Sequence, residues 1–273
     1  MRASELSSLL KRHGLRLRKR LGQHYLAEPG TIARILSKIP LAPGATVIEV
    51  GAGLGALTEP LAARGARVLA VEIDPGIARV LAERLRAVPG VRVVTADILE
   101  FDWRAHQPAA VVGAIPYHIT GPFVAKLCGS RDGVLGAWLV VQLEVARRLT
   151  ARPGSREYGR LSILAQYAWE TALLLRVPRG AFFPPPKVES ALVGFRPRTA
   201  AVSPGEEESF LALVKAAFAH RRKTLANCLS DPKTGIAPRA RVEAALEARG
   251  LARNIRAERV AIEDFAGLTR TLH

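Results

Sequence analysis

Five short apolar runs alternate with turns and helix-forming stretches, and they constrain this chain more than any other feature. They are "TVIEV" (46–50), "RVLAVEI" (67–73), "VRVVTAD" (91–97), "AAVVGAI" (109–115) and "VLGAWLVVQ" (134–142). Runs this continuously apolar must be covered on both faces, which predicts a parallel sheet between helical layers. "DPGIARVLAERLRAV" reads as a helix with Asp74 as N-cap and Pro75 in its first position. "LEVARRLT" reads as another after the fifth run. "WETALLLRV" (169–177) and "SALVGFRP" (190–197) have no long helix between them and predict a hairpin added to the sheet. From about 199 onward apolar residues recur at three and four spacing, as in "EEESFLALVKAAFAH", "KTLANCL", "ARVEAALEARG" and "IEDFAGLTRTLH". The expectation is an α/β domain over 1–198 and a small all-helical domain over 199–273.

The longest apolar run, Val134–Val141, suits one buried strand and is too short for a membrane span. No secretory block opens the chain. Cys128 and Cys228 fit buried thiols in a reducing cytosol, and the histidines lack paired ligand spacing, so no metal site is expected. Charge points to a partner. With 40 Lys+Arg against 24 Asp+Glu, the net charge of +16 attracts a polyanion, and nucleic acid is the expected one. The segment "LLKRHGLRLRKRLGQHYL" reads as a helix over Ser4–Lys11 followed by a cationic loop with Arg16, Arg18, Lys19 and Arg20.

The stretch "EVGAGLGAL" (49–57) follows the first strand and opens a helix. Its glycines permit a tight turn and close approach to a ligand. Read as Gly51-x-Gly53-x-x-Ala56 it fits a dinucleotide fingerprint. Read as Glu-x-Gly-x-Gly-x-Gly it fits a methyltransferase loop for S-adenosylmethionine. Glu72, about 20 residues on, stands where a carboxylate can take ribose hydroxyls. Asp97 stands where one can take an adenine amine. Both cofactors contain adenosine, so the acids do not choose.

The fourth run ends in Ala114-Ile115-Pro116-Tyr117. Pro116 fixes its own φ and holds Ile115 extended. Carbonyls at fixed angles beside a flat tyrosine suit an exocyclic amine on a base. Such an amine is a poor nucleophile because its lone pair is delocalised into the ring. Acceptors gripping its hydrogens favour a pyramidal nitrogen, so positioning and electrostatics carry the catalysis.

At this point the chain resembles the ribosomal RNA adenine N6,N6-dimethyltransferases, in particular their small-subunit type. "KRLGQHYL", "EVGAGLGALTEPLA", "VEID", "ADIL", "GAIPYHIT", "FFPPPKVESALVGF" and "AFAHRRKTLANCL" carry the resemblance over nearly the whole length. It implies a Rossmann-like S-adenosylmethionine domain and a helical RNA-binding domain. It implies that His24 and Leu26 line the methionine side of the cofactor, with Gly51 beneath it, Glu72 on the ribose and Asp97 on the adenine. Gln23, Glu49, Gly53, Ile73, Ile98 and Ala114 complete that set. Tyr117 and Phe182 are implied to sandwich a flipped adenine, with Ile115 and Pro116 shaping the corner. Arg221, Arg222 and Lys223 are implied to contact RNA phosphate or brace the two domains, and Arg18, Lys19 and Arg20 of the cationic loop are expected at the RNA from their charge. The implied activity is dimethylation of two adjacent adenines near the 3′ end of 16S rRNA in a 30S precursor; the cysteines suggest a cytoplasmic protein, and a monomer is expected.

Two positions depart from the family pattern. His24 and Ala114 both stand where it has Asn. Ala114 removes a side-chain acceptor for the target amine, a loss on the order of 10²–10³-fold by analogy with an oxyanion-hole donor. Three alternatives therefore stay open: a catalytically weak assembly factor binding S-adenosylmethionine and RNA, a 23S rRNA methyltransferase, and an oxidoreductase built on the glycine fingerprint.

Overall fold

The computed structural model describes every residue except 1, 19, 20 and 221. Lys19, Arg20 and Arg221, expected at the RNA, thus lie outside the described residues. The strands are β1 (Tyr25–Leu26), β2 (Thr46–Val50), β3 (Arg67–Glu72), β4 (Val91–Thr95), β5 (Ala109–Ala114), β6 (Val134–Gln142), β7 (Trp169–Val177), β8 (Phe182–Phe183) and β9 (Ser190–Pro197). The helices are α1 (Ala3–Arg12), α2 (Pro29–Leu36), α3 (Thr58–Ala63), α4 (Pro75–Arg84), α5 (Thr120–Gly129), α6 (Leu143–Leu149), α7 (Arg160–Gln166), α8 (Glu207–Ala217), α9 (Leu225–Leu229), α10 (Arg239–Ala248) and α11 (Ile262–Leu272).

Seven strands form one sheet in the order β4-β3-β2-β5-β6-β9-β7. The five predicted apolar runs are β2 to β6, and they pair in parallel. Their side chains alternate between two covered faces, so Val47, Ile48, Val68, Ala70, Val111 and Val112 are all buried. The edge strand β4 is only partly buried, because it has a neighbour on one side. β9 runs antiparallel to β6 and β7 lies outside it, at the positions expected for the added pair. Their connection is longer than a hairpin turn. It carries β8, which pairs antiparallel with β1 through Tyr25↔Phe183 and Leu26↔Phe182. The sequence reading contained no counterpart to this two-stranded ladder.

The chain divides into two compact units, 1–146 with 170–197, and 147–169 with 198–273. Residues 147–169, which the sequence reading keeps in the first domain, therefore group with the second. Side-chain bonds give the reason. Tyr158 Oη donates to the Val260 carbonyl at 3.0 Å and Tyr167 Oη to Glu207 Oε1 at 2.6 Å. Within that unit α8 buries Phe210, Leu213, Val214 and Ala217, the three-and-four spacing of a one-faced helix. α11 likewise buries Ile262, Phe265, Leu268 and Leu272. Cys128 and Cys228 are both buried. Among the described residues no helix is long and apolar enough to cross a membrane.

Candidate active site

Parallel strands β2, β3 and β5 bring their carboxyl ends to one side of the sheet, and a cavity of the first unit opens there. Ligands of open α/β sheets sit at such strand ends. The turn after β2 is shaped by glycine. Gly51 has φ +65°, and a Cβ on it would stand 3.4 Å from the Ala114 carbonyl oxygen. Gly53 has φ +57°, and a Cβ there would press to 2.7 Å from the Tyr25 ring. Only glycine lets this loop lie so close to both neighbours.

Three carboxylates surround the loop. Glu72, at the end of β3, accepts from Gly53 N and from Asp74 N, each at 2.9 Å. Burial pushes its carboxyl up, against those two donors. Glu49, at the end of β2, is 2 % exposed. Its Oε2 has no hydrogen-bond partner among the described residues. Burial first, then the nearby Glu72, pushes Glu49 up to about 8. Asp74 caps α4 as expected, accepting from Gly76 N at 2.9 Å. It also receives Arg18 Nε and Gln23 Nε2, each at 3.3 Å, and so tethers the N-terminal segment to this helix.

On the other wall, Ile115 N donates to the Val140 carbonyl at 2.9 Å, continuing the β5–β6 pairing to the corner. Pro116 has φ −54° and leads into a single 3-10 turn, Tyr117–Ile119. The Pro116 carbonyl accepts from Ile119 N at 3.1 Å, which turns the acceptor role toward Ile115. Tyr117 Oη and Ser190 Oγ share a hydrogen bond of 3.0 Å. Burial raises the Tyr117 phenol, so it stays a neutral hydroxyl. Ser190, from the start of β9, thus fixes the tyrosine's far end. No local sequence signal marks this serine for the role.

The cavity brings most predicted residues together. Gln23, His24, Leu26, Glu49, Gly51, Glu72 and Ile73 line it with Ala114, Ile115, Pro116, Tyr117 and Phe182. Phe182 reaches it through the β1–β8 ladder. Gly53 is not among the lining residues, but its N–H donates to Glu72, which is. Asp97 and Ile98 are not brought to it: they lie past β4, where Asp97 Oδ1 accepts from Leu99 N at 2.8 Å and Ile98 is buried. Of the expected RNA contacts, Arg18 is paired with Asp74 and Lys223 with Asp231 at 3.3 Å, while Arg222 is exposed. Functional residues without a sequence signal are Tyr25, which lines the cavity and packs on Gly53, and Pro184, whose carbonyl meets His24 Nδ1 at 2.8 Å.

A buried carboxylate oxygen without a partner, a second carboxylate held by backbone N–H groups and a glycine cradle fit a nucleoside that carries a cationic group. The wall opposite offers an aromatic platform and a fixed carbonyl. Such a sheet with such a cavity defines a Rossmann-like methyltransferase acting on a flat, amine-bearing substrate. The family model for ribosomal RNA adenine dimethylase matches residues 14–273, and the chain belongs to that family. Proteins called ribosomal RNA small subunit methyltransferase A are similar along their length. That of Pelotomaculum thermopropionicum is 39% identical over 274 residues, covering 95% of this chain and 92% of its own. That of Myxococcus xanthus is 40% identical over 269 residues, covering 97% and 94%. Among solved structures, the 23S rRNA methyltransferase ErmE superposes with a TM-score of 0.71 at 35% identity, covering 91% of this chain and 99% of its own. A dimethyladenosine transferase from Plasmodium falciparum shares the fold, with a TM-score of 0.78 at 23% identity over 90% and 96%. The protein is an rRNA adenine dimethyltransferase, and its family and fold imply S-adenosylmethionine as methyl donor. The oxidoreductase reading of the glycine loop is thereby set aside.

Proposed function

We propose that this enzyme dimethylates N6 of two adjacent adenines near the 3′ end of 16S rRNA during maturation of the 30S subunit, as a cytoplasmic monomer. The observation that carries this reading is one cavity with two dissimilar walls: glycine and carboxylates on one side, the Ala114–Tyr117 corner with Phe182 on the other. S-adenosylmethionine, when bound, supplies an electrophilic methyl on a sulfonium. Glu72 holds its ribose, Glu49 faces its cationic end, and Gln23, Leu26, Gly51 and Ile73 complete the wall. Asp97 and Ile98, past β4, serve its adenine end. Tyr117 and Phe182 hold the target ring, a stacking contribution of roughly 1–3 kcal/mol per base. The Ile115 carbonyl accepts one hydrogen of the target amine. The helical unit and its exposed cations, Arg222 among them, meet the RNA backbone.

Full-length similarity to small-subunit enzymes supports the 16S target. The likeness to ErmE supports a second reading, adenine methylation of 23S rRNA. Mass spectrometry of nucleosides after incubation with the donor and unmethylated subunits decides. The expected product is N6,N6-dimethyladenosine in the small subunit only. Methylation confined to large-subunit RNA would transfer the assignment. No methylated adenosine in either would leave the weak assembly factor and remove the catalytic reading.

A further inference from the structure

The β1–β8 ladder pairs Tyr25 with Phe183 and Leu26 with Phe182, a register that sets His24 opposite Pro184. Proline has no N–H, so the backbone exchange stops there. The Pro184 carbonyl is met by a side chain instead, His24 Nδ1 at 2.8 Å. A carbonyl oxygen only accepts, so Nδ1 carries the ring's proton. A neutral imidazole protonated on Nδ1 leaves Nε2 as a lone-pair acceptor. The ring also lies nearly parallel to Tyr117, with centroids 6.0 Å apart and planes 25° apart. It lines the same cavity as Ala114, which presents only a methyl.

We propose that His24 is a catalytic residue whose Nε2 accepts a hydrogen bond from the target adenine amine, in the place that Ala114 leaves without a side-chain acceptor; this rests on the base-pocket reading above. Two acceptors then face the amine: the Ile115 carbonyl and an imidazole whose tautomer is fixed by Pro184. Both favour the pyramidal nitrogen over the planar, delocalised one. The β1–β8 ladder holds the ring in register, so the acceptor is in place before the base enters.

Four proteins test this: the chain itself, His24→Ala, Ala114→Asn and the double variant. Three quantities are read: single-turnover methyl transfer to unmethylated small subunits, calorimetric affinity for S-adenosylmethionine, and the ¹⁵N spectrum of labelled histidine above neutral pH. His24→Ala is expected to slow transfer by about 10²–10³-fold when residue 114 is Ala, and by less than about tenfold when it is Asn. In either case transfer should fall further than cofactor affinity does. The spectrum should show His24 protonated on Nδ1, with Nε2 free. If the parent and Ala114→Asn both fail to methylate any adenine, the function itself falls. If they methylate, the inference alone falls on any of three results: equal slowing by His24→Ala in both backgrounds, an effect confined to cofactor affinity, or a proton on Nε2. Transfer by Ala114→Asn with an inactive parent also overturns it, since His24 would then be supplying nothing.

Discussion

Glu49 shows how one side chain links stability to ligand. Its carboxyl is moved from the ordinary 4.5 to about 8 by burial and the neighbouring Glu72. The folded protein therefore binds more protons than the unfolded chain between these values, and stability contributed by the protonated form is lost as pH rises through the window. Glu49→Gln should flatten that slope, measured as denaturation midpoints from acid to mildly alkaline pH. A cationic ligand group beside Oε2 favours the ionised form. Binding of S-adenosylmethionine at neutral pH should therefore release protons, seen as a calorimetric heat that varies with buffer. Glu72 is raised as well, so the difference between parent and Glu49→Gln isolates the share of Glu49. An unchanged proton release in the variant would remove Glu49 from the cofactor wall. At this scale the carboxylates were legible, because strand ends and glycine spacing locate them. The partners of His24 and Tyr117, Pro184 and Ser190, were not. They stand 160 and 73 residues away in sequence, and no local pattern encodes such pairs.

Among the elements, α4 depends on one capping side chain. Asp74 caps its first turn and holds Arg18 and Gln23 against it. Asp74→Ala should cost about 1–2 kcal/mol in urea denaturation, most of it the lost cap. Asp74→Asn keeps the capping Oδ1 and loses the Oδ2 contacts with half-exposed Arg18 and with Gln23, so it should cost less than Asp74→Ala. Equal costs would mean that the cap is not the main term. The cap was readable because Asp-Pro before an apolar period is a local signal. The ladder of β1 with β8 was not. Each strand has two residues, too short for any alternation, and each forms only because the other is brought alongside. The added pair β7 and β9 was predicted as strands, but the meaning of their long connection emerged only with that ladder.

For the whole molecule, the charge of +16 sets how it meets RNA. Ribosomal RNA affinity should fall steeply with salt, by about 10³–10⁵ between 50 and 200 mM if six to ten phosphates are contacted. Arg222→Ala should weaken binding at every sequence and lower the salt slope by about one. A flat salt response in filter binding would mean that the cations are not the interface. The second unit shows where a boundary escapes local reading. Residues 147–169 look like a continuation of the α/β pattern, yet Tyr158 bonds them to Val260 before α11 and Tyr167 to Glu207 of α8. The sequence by itself determined the parallel sheet, the glycine turn, the acids at the strand ends and the Ile-Pro-Tyr corner. Each is set by hydrophobic period or by backbone restriction within a few residues. Only the tertiary structure decided that the N-terminal motif, the corner after β5 and the block around Phe182 share one cavity. That outcome depends on strand order and on a two-residue ladder, which are settled by long-range packing rather than by any stretch of chain on its own.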